Sequence, residues 1–203
     1  MTTAIEHQNV YETYQEISDE FDSTRHSVWP SVKSFIASIP AQSSLLEIGC
    51  GNGKNLAYRN DLDSTGIDFV PKFVAICRNK GLNVLEGNAI ALPFDDNSFD
   101  NVISVAVFHH LSTEERRIVA LREMVRVLKP GGRGMVVCWA FEQSESKRDI
   151  KEGDQYITWR TEQCLRFYHC YSKVSFENYT TCVSVSQGHI WWQKGNWIFE
   201  FTK

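Results

Sequence analysis

Three glycines at every second position, Gly49, Gly51 and Gly53, follow the apolar run Leu45-Leu46-Glu47-Ile48, which carries one acid. Glycine takes backbone angles closed to other residues and lets a ligand reach the main chain with no Cβ in the way. A buried parallel strand feeding such a turn is where open α/β sheets bind ligands. The spacing argues against two chemistries. A dinucleotide fingerprint needs its third glycine one residue later, and a phosphate loop needs Gly-Lys-Ser/Thr; here Lys54 is followed by Asn55. Ser64-Thr65-Gly66-Ile67-Asp68 reads as a second strand ending in an acid. Asp68 lies about 20 residues past the first glycine, where a carboxylate takes the two ribose hydroxyls of an adenosine. Leu82 to Glu86 reads as a third strand. Asn88 and Ala89 follow it, where a short polar side chain could read an adenine edge.

These residues need a scaffold, and the rest of the chain supplies its pattern. A helix-compatible stretch begins at Lys54 and another spans Val70 to Arg78, with Pro71 suited to its first turn. Asn101 to Phe108 is a near-continuous apolar run of the kind buried in parallel sheets, and it ends in His109-His110. One of these histidines is expected to pack and the other to face the ligand rim; adjacent residues point apart, so the pair is a poor metal site. Ser112-Thr113-Glu114-Glu115 reads as a capping box opening a helix with Ile118, Leu121, Val125 and Leu128 on one face. Arg133 to Trp139 is the fifth strand. Alternating strands and helices give a doubly wound parallel sheet.

Ahead of the sheet, Val10, Tyr14, Ile17 and Phe21 form a helical stripe. A second helix restarts at Val28-Trp29-Pro30, carries Val32, Phe35, Ile36 and Ile39, and stops at Pro40. Both are placed to form a lid. Residues 141–155 are polar and charged with no periodicity, including Lys147, Arg148 and Lys151. They read as a loop or as a substrate-binding segment that orders late. Arg166-Phe167-Tyr168-His169-Cys170-Tyr171 mixes one cation, one imidazole and three phenyl-type rings. That mixture suits core aromatics with a snorkelling Arg, or stacking on a base. Thr181 to Val185 is β-like. His189 to Trp192 and Trp197 to Phe201 read as an antiparallel strand pair around Lys194-Gly195-Asn196.

Composition bounds the answer. A length of 203 residues suits one α/β domain, 1–203, with a lid over 1–40, a ligand-binding core over 41–140, and a loop with closing strands over 141–203. No apolar run approaches a membrane span, and the first residues lack a signal-peptide core. The six cysteines form no Cys-x-x-Cys, so they read as reduced thiols of a cytoplasmic (or also nuclear) protein rather than a zinc or other metal site. A net charge of -4 argues against broad non-specific nucleic-acid affinity but leaves room for a local patch.

From Leu45 to Trp139 the order of strands, glycine loop and acids resembles the class I S-adenosylmethionine-dependent methyltransferase fold, a doubly wound seven-stranded sheet. The narrower matches cover nearly the whole chain. They are Tyr11 to Arg25 with Phe21, Thr24 and Arg25; Trp29-Pro30; Gly49 to Lys54; His109-His110 with Ser112-Thr113 and Glu115-Arg116-Arg117; Cys138-Trp139-Ala140 with Glu142-Gln143; Arg166 to Tyr171; and Asn196-Trp197. Together these resemble the tRNA wobble-uridine carboxymethyl methyltransferases, the free-standing eukaryotic enzymes and the methyltransferase domain of an AlkB-type dioxygenase homologue. The resemblance implies methyl transfer from S-adenosyl-L-methionine to the carboxylate of 5-carboxymethyluridine at the first anticodon position. It also implies a small zinc-binding activator subunit pairing with the third strand's edge.

Such a carboxylate, with a pKa of roughly 4, is ionised at neutral pH, so no general base is needed. The site must orient it, and Arg does that best. Arg25, delivered by the lid, is the expected clamp, with His110 as a hydrogen-bond donor to substrate. Arg166 and Tyr168, with His169 beside them, are expected to hold the nucleotide. Glu47, Gly49, Gly51, Gly53, Asp68, Asn88, Ala89 and Val105 are expected at the cofactor. The core motifs alone leave open a small-molecule methyltransferase and a non-catalytic partner-binding scaffold.

Overall fold

A computed structural model of the chain describes residues 2–143 and 149–203. Lys147 and Arg148, in the charged stretch singled out above, lie outside the described residues. Five parallel strands form the core of the sheet: β1 (Ser44–Ile48), β2 (Asp63–Asp68), β3 (Val84–Glu86), β4 (Phe99–Val105) and β5 (Leu128–Trp139). An antiparallel pair, β8 (Gln187–Gln193) and β9 (Asn196–Thr202), completes it, turning at Lys194-Gly195 as the sequence predicts. The order is β3-β2-β1-β4-β5-β9-β8. β1 pairs with β2 on one side and β4 on the other, both parallel. The strand order reverses there, which opens a crevice beyond the carboxyl ends of these strands.

The central strands are Val/Ile/Leu-rich because both faces are covered. Helices α4 (Pro71–Asn79) and α5 (Glu114–Val127) supply cover, and Leu46, Val102, Leu121, Met124 and Val136 are fully excluded from solvent. α3 (Pro30–Ala37) starts on Pro30 after an extended Trp29 and buries Val32, Phe35 and Ile36 against Leu45, Ile103 and Val137. Gly134 faces Phe201 across the β5–β9 ladder, and a Cβ there would stand 2.2 Å from the Phe201 ring. Gly134→Ala is therefore expected to lower stability by about 1–3 kcal/mol, read by urea denaturation.

The N-terminal run is helical from Ala4 to Thr24: α1 (Ala4–Glu6), a π-helical stretch over His7–Glu12, and α2 (Thr13–Thr24). Its apolar stripe, Val10, Tyr14 and Ile17, packs on Val70 and Phe73 of the core and on Trp159 and Phe167. The last two come from a hairpin the sequence did not disclose, β6 (Gly153–Trp159) and β7 (Thr161–Cys170), which forms its own two-stranded sheet. Its first strand begins inside the polar 141–155 stretch, which hides its start, and one face of the hairpin meets the N-terminal helix rather than a main core.

Several local expectations shift. Lys54 opens no α-helix; a 3-10 turn at Leu56–Tyr58 replaces it. The helix before β5 is capped by Thr113, whose side chain accepts from Arg116 N–H, because Ser112 is drawn to the carboxylate of Glu6. β4 ends at Val105, and His109-His110 lie in a 3-10 turn, Phe108–His110. Thr181 to Val185 is not a strand; it follows α6 (Lys173–Thr180), capped by Ser172. No helix among the described residues is long and apolar enough to cross a membrane.

Candidate active site

The crevice beyond β1, β2 and β4 is a cleft with about 1290 Å³ of space, counted out to its open mouth. The glycine loop forms one wall. Gly49 and Gly51 hold φ of 71° and 53°, angles that strain any side chain, and a Cβ on Gly49 would strike Val107 at 2.4 Å. Asp68 fixes the loop from the next strand. Its Oδ2 accepts Gly51 N–H at 2.8 Å, and its Oδ1 accepts Val70 N–H at 2.9 Å. Burial raises its pKa to about 6 against the pull of those donors, so it is ionised at neutral pH. Asn88, Ala89 and Val105 also line the cleft. Gly53 does not. It sits behind the loop, where a Cβ would meet Leu82 and Cys77, so its task is packing rather than cofactor contact.

Glu47 lies at the floor, 1% exposed. Its Oε1 accepts from Asn55 Nδ2 at 2.6 Å, while Oε2 has no partner among the described residues. Burial pushes its pKa up to about 8 from an ordinary 4.5. A cationic ligand group would satisfy that oxygen and draw the proton off. The folded protein holds this proton up to about pH 8, whereas the unfolded chain loses it near 4.5. Stability is then expected to fall as pH rises through that window, by on the order of 1 kcal/mol per unit. Glu47→Gln should lack that slope in thermal melts. Binding of a cationic ligand should release a proton below pH 8, read by calorimetry in buffers of different ionisation heat.

The opposite wall comes from the N-terminal helix and the hairpin. Strand alternation points Arg166 and Tyr168 into the cleft and Phe167 and His169 to the other face. His169 accordingly misses the cleft and pairs with Asp154 at 2.5 Å, against the expectation that it touches substrate. Arg166 is only 5% exposed. It leans on the rings of Trp159, Tyr168 and Tyr14 at 4.9, 5.2 and 6.0 Å, touches Tyr14 Oη and the Thr158 carbonyl at 3.4 Å each, and leaves Nε without a partner. It has no carboxylate partner among the described residues.

His110 lines the cleft, and His109 is buried behind it, stacked on Tyr168 at 4.8 Å. The donor role expected for His110 is not available in this arrangement. Its Nδ1 lies 2.6 Å from the Phe167 carbonyl, which can only accept, so Nδ1 carries the proton. Nε2 then accepts from Tyr14 Oη at 3.0 Å. Burial pulls its pKa down to about 3, which keeps it neutral. Its task is to orient the Tyr14 hydroxyl, which in turn meets Arg166.

Arg25 sits at the exposed mouth, just past α2, its guanidinium 4.8 Å from the Trp159 ring centroid and 5.7 Å from that of Phe21. Lys54 lines the cleft over Trp29 at 5.6 Å, and burial lowers its pKa. Neither has a carboxylate partner among the described residues, although cations elsewhere, such as Arg59, Arg116, Arg126 and Arg133, are paired. The cleft is lined by three buried acids, of which Glu6 is already paired with Arg116, and by three cations with no carboxylate partner among the described residues; that set suits a ligand set bearing both positive and negative groups. Tyr14, Trp159, Phe69 and Lys54 are lining residues that sequence reasoning missed. Tyr14 read there as part of an apolar helical stripe, and both Tyr14 and Trp159 also belong to a core cluster.

Residues 46–136 match the family model described as a methyltransferase domain. The chain is 41% identical over 149 residues to the tRNA (carboxymethyluridine(34)-5-O)-methyltransferase of Xenopus tropicalis, covering 73% of this chain and 24% of that protein. It is 43% identical over 145 residues to the enzyme of the same name from Arabidopsis thaliana, covering 71% of this chain and 36% of that protein. The chain thus spans only about a quarter to a third of the length of these relatives. Among solved structures, it is similar in fold to a putative methyltransferase from Haloferax volcanii in complex with the Trm112 methyltransferase activator. That match has a TM-score of 0.67 and 19% identity, over 96% of this chain and 98% of that one. Residues 46–136 are thus a methyltransferase domain, and over that region the chain is similar to the tRNA carboxymethyluridine methyltransferases.

Proposed function

We propose that the chain methylates the carboxylate of 5-carboxymethyluridine at the wobble position of a tRNA. S-adenosyl-L-methionine supplies the methyl group. The cleft's residues fit that cofactor. Asp68 would take the ribose hydroxyls, Asn88 and Ala89 the adenine edge, and the Gly49 and Gly51 backbone the methionine end; Glu47 Oε2, which has no partner among the described residues, would take its ammonium. In the reaction the carboxylate oxygen bonds to the methyl carbon as the carbon–sulfur bond breaks; the two opposite charges cancel and no proton moves. The neutral, fully engaged His110 accords with a reaction that needs no base.

The observation that carries this reading is Arg166, a buried guanidinium in the cleft with no carboxylate partner among the described residues and an unpartnered Nε. We assign it the substrate carboxylate. Tyr14 and Tyr168 flank that seat, and Trp159 offers a surface for the base. Arg25 at the mouth and Lys54 then meet phosphate or the cofactor's carboxylate. The short third strand, with Leu85 38% exposed at the sheet edge, is a suitable docking edge for an activator subunit.

The test is transfer of label from S-adenosyl-L-methionine to tRNA carrying carboxymethyluridine, with and without an activator subunit. Base-labile incorporation, as an ester requires, supports the assignment. Cofactor binding without incorporation in either condition would move a small-molecule substrate to the front.

A further inference from the structure

The glycine loop and the rim cation are physically tied. Asn52, between Gly51 and Gly53, is 4% exposed. Its Nδ2 donates to the carbonyl of Arg25 at 2.9 Å and to Asp22 Oδ1 at 3.0 Å. Lys80, at the end of α4, donates to the same Asp22 oxygen at 2.5 Å and to the Asn52 carbonyl at 3.1 Å. One turn earlier in α2, the Phe21 ring lies 3.6 Å from where a Cβ on Gly51 would stand. Lid, loop and α4 therefore meet in one polar knot, and two of its acceptors are main-chain carbonyls. Backbone movement of the loop must move Arg25.

We infer that Asn52 and Asp22, braced by Lys80, are positioning residues that couple occupancy of the glycine loop to placement of Arg25 and Phe21 over the cleft. The coupling rests on the proposed function only in naming what Arg25 meets. Its consequence is reciprocal: cofactor tightens the hold on a polyanionic substrate, and substrate tightens the hold on cofactor by the same factor. Asp22 and Lys80 do not line the cleft, so their effect on substrate runs through the knot.

The experiment is hydrogen exchange of the lid, residues 13–25, with and without S-adenosylhomocysteine, in wild type, Lys80→Ala and Asp22→Ala. In wild type the ligand should slow lid exchange by on the order of tenfold. Lys80→Ala, at an exposed position, should still bind the ligand, weaker by no more than the same factor of about ten by calorimetry, yet lose the slowing. In turnover with carboxymethyluridine tRNA it should raise KM for RNA and leave kcat alone, a split that mere loss of stability does not produce. Retained slowing in both variants, or no slowing in a wild type that binds the ligand, overturns the coupling. The exchange arm contains no RNA, so a wrong substrate assignment leaves its result standing. A wild type that fails to bind S-adenosylhomocysteine overturns the methyl-donor reading and the coupling with it.

Discussion

Arg166→Met is expected to cut methyl transfer to carboxymethyluridine tRNA by roughly 30-fold or more while leaving S-adenosylhomocysteine affinity unchanged. A buried guanidinium facing a carboxylate is the kind of pair whose truncation costs about 2–5 kcal/mol, or roughly 30-fold to several thousand-fold in kcat/KM. Arg166→Lys should recover little, since an ammonium cannot reproduce the planar fork. The fold should survive. An uncompensated buried charge opposes folding, and methionine replaces it with apolar volume, so the thermal midpoint should stay near wild type. Arg25→Ala is the informative comparison. Exposed at the mouth, it should cost about tenfold or less, chiefly in KM for RNA. If Arg25→Ala instead proves the more damaging of the two, the carboxylate sits at the rim, as the sequence alone suggests.

The second large effect is on the cofactor. Asp68→Ala should weaken S-adenosylhomocysteine binding by about a hundredfold or more, since it removes a charged acceptor worth about 1.5–3 kcal/mol per hydrogen bond. It also frees Gly51 N–H, which Asp68 holds at 2.8 Å, so the loop loses its anchor. Two titrations then shape the pH profile in the same direction. Asp68 gains a proton as pH falls through about 6, which weakens binding. Glu47 loses its proton as pH rises towards about 8, which strengthens the hold on an ammonium. Affinity should climb from pH 5 to about 8 and then level off. Asp68→Asn should remove the lower limb and Glu47→Gln the upper one, measured by calorimetry across that range. A flat wild-type profile would show that neither acid meets the ligand.

What the sequence determined by itself is what local pattern encodes. The parallel strands read from their apolar runs, the loop from glycines that alone tolerate its backbone angles, and Asp68 from its distance along the chain. The closing hairpin at Lys194-Gly195 read from turn chemistry. Each signal acts within a few residues, or within one strand–loop–strand unit. The tertiary structure alone decided which side of β7 faces the cleft, because a strand's alternation names two faces but not which is inside. That choice admits Arg166 and Tyr168 and turns His169 away. It also decided the hydrogen bonding of His110, whose partners Tyr14 and Phe167 lie 96 and 57 residues off in sequence. The β6–β7 hairpin was hidden because its cover is the N-terminal helix, more than a hundred residues distant. Above all, burial separates Arg166 from Arg25. In sequence both read as cations for the substrate, and only the packed wall removes one from water and leaves the other at the mouth.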